Sequence, residues 1–245
     1  MNSEPDFVTE PQIGTGRFQY KWVLLLVVAS GGFLSIMNMG MVNIGAPDMI
    51  DDFQTSASLI VWVNLAFVMG TTVPLLPLSR ISDVFGRKRM YLAGALVVPV
   101  GLTLSAFSQD LSQLIVARVA TGIGAAMILA NDNALVTQTF PTSERGKAQG
   151  MMNMAFGLGI GLSFFLGGIL VDIFDWRALF WARIPAQLLL AFAIWRFVRS
   201  DSKDASRDTT GYSVDLAGVL LLAAVMVGSL LAINQAGRLG LSSPL

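Results

Sequence analysis

The chain has 245 residues, of which 54% are hydrophobic and only 13% charged, with a mean hydropathy of +0.65. Soluble domains carry about 25% charged residues, so this composition calls for a non-aqueous solvent around much of the surface. Sixteen basic residues balance 16 acidic ones, which leaves no electrostatic case for a nucleic acid partner.

Cysteine and histidine are both absent. Disulfides, thiolate nucleophiles, the usual metal ligands and the commonest general base go with them. No catalytic constellation, metal site or cofactor motif is left, and the expectation is that this is not an enzyme. Residues 1–21 are polar and carry Glu4, Asp6 and Glu10, unlike a short basic leader. They are expected to form a cytoplasmic tail, followed by an apolar run that stays in place as a helix.

A membrane span needs about 20 mainly apolar residues. Seven stretches qualify: 22–46, 57–78, 90–107, 111–136, 150–171, 178–197 and 214–233. Residues 22–198 therefore read as a six-helix bundle, 199–213 as a polar cytoplasmic linker, 214–234 as a seventh transmembrane helix and 235–245 as an external tail.

Orientation follows from the basic residues. Twelve of the 16 (Arg17, Lys21, Arg80, Arg87, Lys88, Arg89, Arg145, Lys147, Arg196, Arg199, Lys203, Arg207) fall on one set of connections. The alternate connections carry Arg177 and Arg238 among Asp48, Asp51, Asp52, Asp110, Asp172 and Asp175. The N-terminus is thus expected in the cytoplasm, and the chain as a multi-pass protein of the inner or plasma membrane.

Three charges sit well inside predicted spans, away from their ends. Arg118 in the fourth span carries an insertion cost of about 2.5–3.5 kcal/mol at a helix centre; it either faces the bundle interior or snorkels outward. Arg183 in the sixth span poses the same choice. Asp132, flanked by Asn131 and Asn133, lies 14 residues from Arg118, about 21 Å along one helix, so the two cannot pair. It is either an interfacial carboxylate or a proton or cation site in the inner half of a pathway.

Small residues mark close helix contacts. Gly122 and Gly124 form such a face in the fourth span, and Gly157, Gly161, Gly167 and Gly168 in the fifth.

Residues 79–89, SRISDVFGRKR, resemble the signature loop G-x-L-a-D-r-x-G-r-k of the major facilitator superfamily. Arg118 to Ala126 resembles the family's helix-four motif R-x-x-q-G-x-g-a-A, and residues 140–148 the f-P-p-e-e-R-g-r-a loop after it. Residues 176–185, WRALFWARIP, resemble the start of helix six. Residues 42–47, VNIGAP, and 240–244, GLSSP, are similar to segments of the fourteen-helix drug/proton antiporters. The resemblance implies an all-α integral membrane fold, the six-helix N-terminal bundle of the major facilitator fold plus a seventh helix. It also implies a cytoplasmic latch loop at Asp83, Gly86, Arg87 and Lys88, joined by Glu144 and Arg145.

The departures bear on mechanism. Where that branch has an aspartate five residues before Asn43, this chain has Asn38, and an amide does not titrate near neutral pH. The helix-five proline is replaced in SFFLGG at 163–168, and Arg183 stands where the family has an asparagine. Asn38, Asn43, Arg118, Asp132 and Arg183 are the candidate pathway residues. Two arginines without the usual carboxylate lean toward an anionic or neutral amphipathic substrate.

One bundle alone would expose half of a polar cavity to lipid. The chain is therefore expected to be half of an efflux-type secondary transporter, whose partners are the lipid bilayer and a second membrane chain supplying the C-terminal half, or a second copy of itself. The alternative reading is a transport-inactive scaffold or assembly factor within a larger membrane complex.

Overall fold

The computed structural model describes residues 15–199 and, beyond them, the helical positions Gly218, Leu221, Ala224, Val225, Gly228 and Ser229. The expected linker, the external tail, most of the N-terminal tail and most of the seventh span lie outside the described residues. All regular structure among the described residues is helical: α1 (Thr15–Ile44), α2 (Ala46–Asp52), α3 (Ala57–Phe85), α4 (Arg87–Ala106), α5 (Leu111–Thr139), α6 (Thr142–Ile173), α7 (Ala178–Trp181) and α8 (Ile184–Phe197). A bilayer core offers no water to satisfy backbone N–H and C=O groups, which leaves helices and closed β-barrels, and apolar runs of about 20 residues favour helices. Six helices, with α7 and α8 taken as one, are long and apolar enough to cross a membrane.

The helices are longer than the apolar runs suggested, since they continue as far as their caps allow. Asp110 caps α5 by accepting from the Gln113 N–H. Between α3 and α4 the whole connection is Gly86, whose φ of 98° lies where a side chain is strained. Glu144 and Arg145, expected in a loop, belong to the first turns of α6. The sequence reading did not include α2, and it gave 178–197 as one unbroken helix. The structure interrupts that span at Ala182 and Arg183. Pro185 is the physical reason, because it has no N–H to offer the carbonyl four residues back.

Helix α1 packs along α6, α3 along α5, and α4 against both α5 and α8. Numbered as spans, the first meets the fifth, the second meets the fourth, and the third meets the sixth. Exchanging the first three for the last three maps these three contacts onto one another, as inverted three-helix repeats require, whereas the extensive contact of the third span with the fourth has only a weak counterpart between the sixth and the first. The second and fifth spans, α3 and α6, are the symmetry mates left most exposed.

Glycine sets the α3–α5 approach. A Cβ on Gly122 would lie 2.5 Å from the Phe67 carbonyl oxygen and 2.9 Å from the Gly70 carbonyl carbon. Gly124 is likewise closed in, by Val98 and the Gly94 carbonyl. The predicted face on α6 divides. Gly167 rests on Met41 and Ile44, whereas Gly157, Gly161 and Gly168 have nothing within 4 Å among the described residues. Those three are corrected to an outward stripe, because α6 packs chiefly on α1 and shows it only one side. The α6 glycine that packs tightly within the bundle is Gly159, against the Phe33 backbone. Gly122→Val should therefore destabilise the bundle by about 2–3 kcal/mol, as overpacking against backbone does. Gly157→Val should leave the tryptophan-fluorescence unfolding midpoint in detergent unchanged.

Candidate functional site

The core of the bundle is apolar except where the sequence placed polar groups within spans. Arg118 is fully buried, which excludes the snorkelling alternative; Arg183 and Asn38 are buried beside it. The Asn38 carboxamide oxygen on α1 accepts from Arg118 Nη1 on α5 at 2.6 Å and from Arg183 Nη1 at 2.8 Å. Arg118 Nε also donates to the Val63 carbonyl of α3 at 3.3 Å. Its guanidinium carbon lies 4.6 Å from the centre of the Phe67 ring and 5.9 Å from that of Phe180. Arg118 Nη2 and Arg183 Nε are buried without a hydrogen-bond partner among the described residues.

Two cations therefore converge on one neutral oxygen. At a separation of about 5 Å and an effective dielectric near 20, like charges repel by about 3 kcal/mol. A carboxylate at position 38 would offset that repulsion; an amide dipole does so only in part. Arg183 sits at the break between α7 and α8, so its backbone is held by turn hydrogen bonds to Phe180 rather than by a continuous helix. Interrupted helices of this kind line the substrate site in secondary transporters.

Asn43 lies on a different face of α1, exposed, with its carboxamide oxygen accepting from Asn64 Nδ2 of α3. It does not join the arginine cluster, since five residues rotate the helix well past Asn38. Asp132 is only 2% exposed, so its carboxyl is enclosed by the bundle rather than lying on its surface. Its electrostatic neighbour is Tyr91 of α4.

Residues 28–243 match the pattern that defines the Major Facilitator Superfamily. The chain belongs to that superfamily. It is 30% identical over 218 residues to the riboflavin transporter RibZ of Clostridioides difficile strain 630, covering 89% of this chain and 47% of that protein. It is 28% identical over 221 residues to the multidrug resistance protein Stp of Mycobacterium tuberculosis CDC 1551, covering 89% of this chain and 40% of that one. The chain thus spans about half the length of the curated relatives it matches. Among solved structures, a bacterial homologue of the human lysosomal transporter Spinster, inward-facing and occupied, superposes with a TM-score of 0.68 at 18% identity. That match covers 78% of this chain and 47% of that one, and at such identity it shows the fold alone.

In this facilitator bundle the residues of the expected latch loop are engaged locally. Asp83 pairs with Arg87 across Gly86 at 2.9 Å, and Lys88 donates to the Trp195 carbonyl of α8 at 3.0 Å. Glu144 meets Lys21 of α1 at 2.5 Å, while Arg145 closes the end of α5 by donating to the Thr137 and Phe140 carbonyls. The structure does not bring these six residues into one cluster.

At the opposite end, Asp52 accepts from Trp176 Nε1 at 3.1 Å and pairs with Arg177 at 2.9 Å. Sequence reasoning missed Asp52, Asn64, Tyr91 and Lys21 as partners. Of the four, only Lys21 announced itself, through its place at the start of an apolar run.

Proposed function

We propose that this bundle is one half of a secondary active transporter of the efflux type, moving a small amphipathic molecule with a neutral or anionic polar group. The observation that carries this reading is the pair of buried guanidiniums sharing the single neutral oxygen of Asn38. Such a pair retains capacity for an anionic or strongly dipolar ligand group. Arg118 and Arg183 are shielded in this conformation, so the ligand reaches them as the α7–α8 break moves relative to α1. RibZ and Stp, named for riboflavin transport and multidrug resistance, fit an amphipathic organic cargo.

The outward faces of α3 and α6 support completion of the pathway by a second six-helix bundle, seated where Gly157, Gly161 and Gly168 lie open. The distribution of basic side chains supports a cytoplasmic N-terminus in an inner or plasma membrane. As the protein has no cysteine, Thr142→Cys and Gln109→Cys report sidedness by labelling with an impermeant maleimide. Labelling of Gln109→Cys alone from outside is expected.

The transport test is riboflavin flux in proteoliposomes containing the chain with whatever bundle co-purifies from mild detergent. Flux that saturates, and is lost in Arg183→Ala, is the expected result. Co-purification with an unrelated complex and no flux for riboflavin or a panel of amphipathic anions would sink the transport reading in favour of the scaffold alternative.

A further inference from the structure

A second buried polar group lies in the inner half of the bundle, apart from the arginines. Asp132 of α5 is 2% exposed, and neither carboxyl oxygen has a hydrogen-bond partner among the described residues. The neighbouring Tyr91 hydroxyl is fully buried and equally lacks one, as does Asn131 Oδ1. A Cβ on Gly31 of α1 would meet the Tyr91 hydroxyl and Ile128, so α1 closes directly over this spot. Two neighbouring buried polar side chains with unmet capacity, Asp132 and Tyr91, covered by α1, are a rare feature in a well-packed core.

The charges on the surrounding helices do not compensate Asp132. Tyr91 is the titratable group that faces it from α4. On α1 and α6, Lys21 and Glu144 are bonded to each other, and Arg145 is spent on backbone carbonyls. On α3 and α4, Asp83 is paired with Arg87 and Lys88 with a carbonyl of α8. Lys147 of α6 lies over the Trp22 ring, and Arg118 is about 21 Å away along α5. An ionised carboxyl here would be a buried charge without a counter-ion, which costs several kcal/mol. A carboxylic acid needs one acceptor, and the neighbouring Tyr91 hydroxyl oxygen supplies one.

We propose that Asp132, positioned by Tyr91, is the group that holds and exchanges the coupling proton, the role that Asn38 cannot fill. The proton is bound to the carboxyl while α1 covers the site. It leaves toward the cytoplasm when α1 moves off Tyr91, with no bond to carbon made or broken. The coupling part of this inference rests on the transport reading above; the presence of the proton does not.

Infrared spectra of the purified full chain in detergent test the proton directly. At neutral pH the wild type should show a protonated-carboxyl carbonyl stretch. Asp132→Asn should lack that band, and Tyr91→Phe should shift it. A neutral-pH spectrum without it, or a band unchanged in Asp132→Asn, overturns the proposal. In proteoliposomes, Asp132→Asn should lose the response of riboflavin flux to an imposed pH gradient. An unaltered response overturns the coupling role. If the wild type moves no cargo, the transport reading fails by itself, and the infrared band still decides whether Asp132 holds the proton.

Discussion

Replacing Asn38 by aspartate should stabilise the bundle and change how any flux responds to pH. The carboxylate would stand between Arg118 and Arg183, converting two ion–dipole contacts into charge-assisted pairs at the observed 2.6 and 2.8 Å. Both arginines are already buried, so the added charge alone brings new desolvation cost. We expect a net gain of about 2 kcal/mol, read as a higher unfolding midpoint in detergent. The same carboxylate would occupy the positive potential proposed for the ligand. Binding of an anionic probe should fall roughly tenfold or more, the equivalent of about 1.4 kcal/mol. A carboxyl can also exchange a proton where an amide cannot, so the pH profile of flux should alter. An unchanged profile in a working flux assay argues against any proton role for position 38, and a lower midpoint would contradict the geometry of the cluster.

Arg118→Met separates structure from function at the same site. Methionine has nearly the length of the arginine stem and would pack against Phe67 and Phe180 without a buried charge. Removing one of two neighbouring buried like charges relieves their mutual repulsion and the desolvation of one cation, so the unfolding midpoint should stay level or rise. Transport should fall at least a hundredfold, because half of the positive potential disappears and Asn38 is left to Arg183. Arg118→Lys should rescue little, since an ammonium on a flexible stem cannot span Asn38 and the Val63 carbonyl as the planar guanidinium does. Wild-type flux in Arg118→Met would remove this residue from the pathway and leave it a packing element.

Much of the fold was legible before any coordinates. Apolar runs of about 20 residues dictate helices in lipid, and the flanking charges mark where those runs end, whereas the break before Pro185 emerged only in the structure. The limits of α3, α4 and α6 were less legible. Once nucleated, a helix propagates past the hydrophobic boundary for as long as each residue adds a hydrogen bond, and Ser79 to Phe85 and Thr142 to Gln149 do so. The small-residue signal was half informative. Gly122 reads the same whether it faces Phe67 or lipid, and only the placement of α3 distinguishes it from Gly157.

The candidate site divides along the same line. Sequence by itself determined that Asn38, Arg118, Asp132 and Arg183 would be polar groups within apolar spans, because hydropathy and register along a single helix are local properties. It also determined the facilitator resemblance, carried by motifs of fewer than a dozen residues each. Only the tertiary structure decided that Asn38 binds both arginines, over separations of 80 and 145 residues. It likewise decided that Asn43 turns away from them and that Tyr91 lies beside Asp132. Those facts depend on how α1, α4, α5 and α8 rotate about their axes as they pack. That rotation is set by the whole bundle's close approach at glycines such as Gly70 and Gly122, so no single segment encodes it.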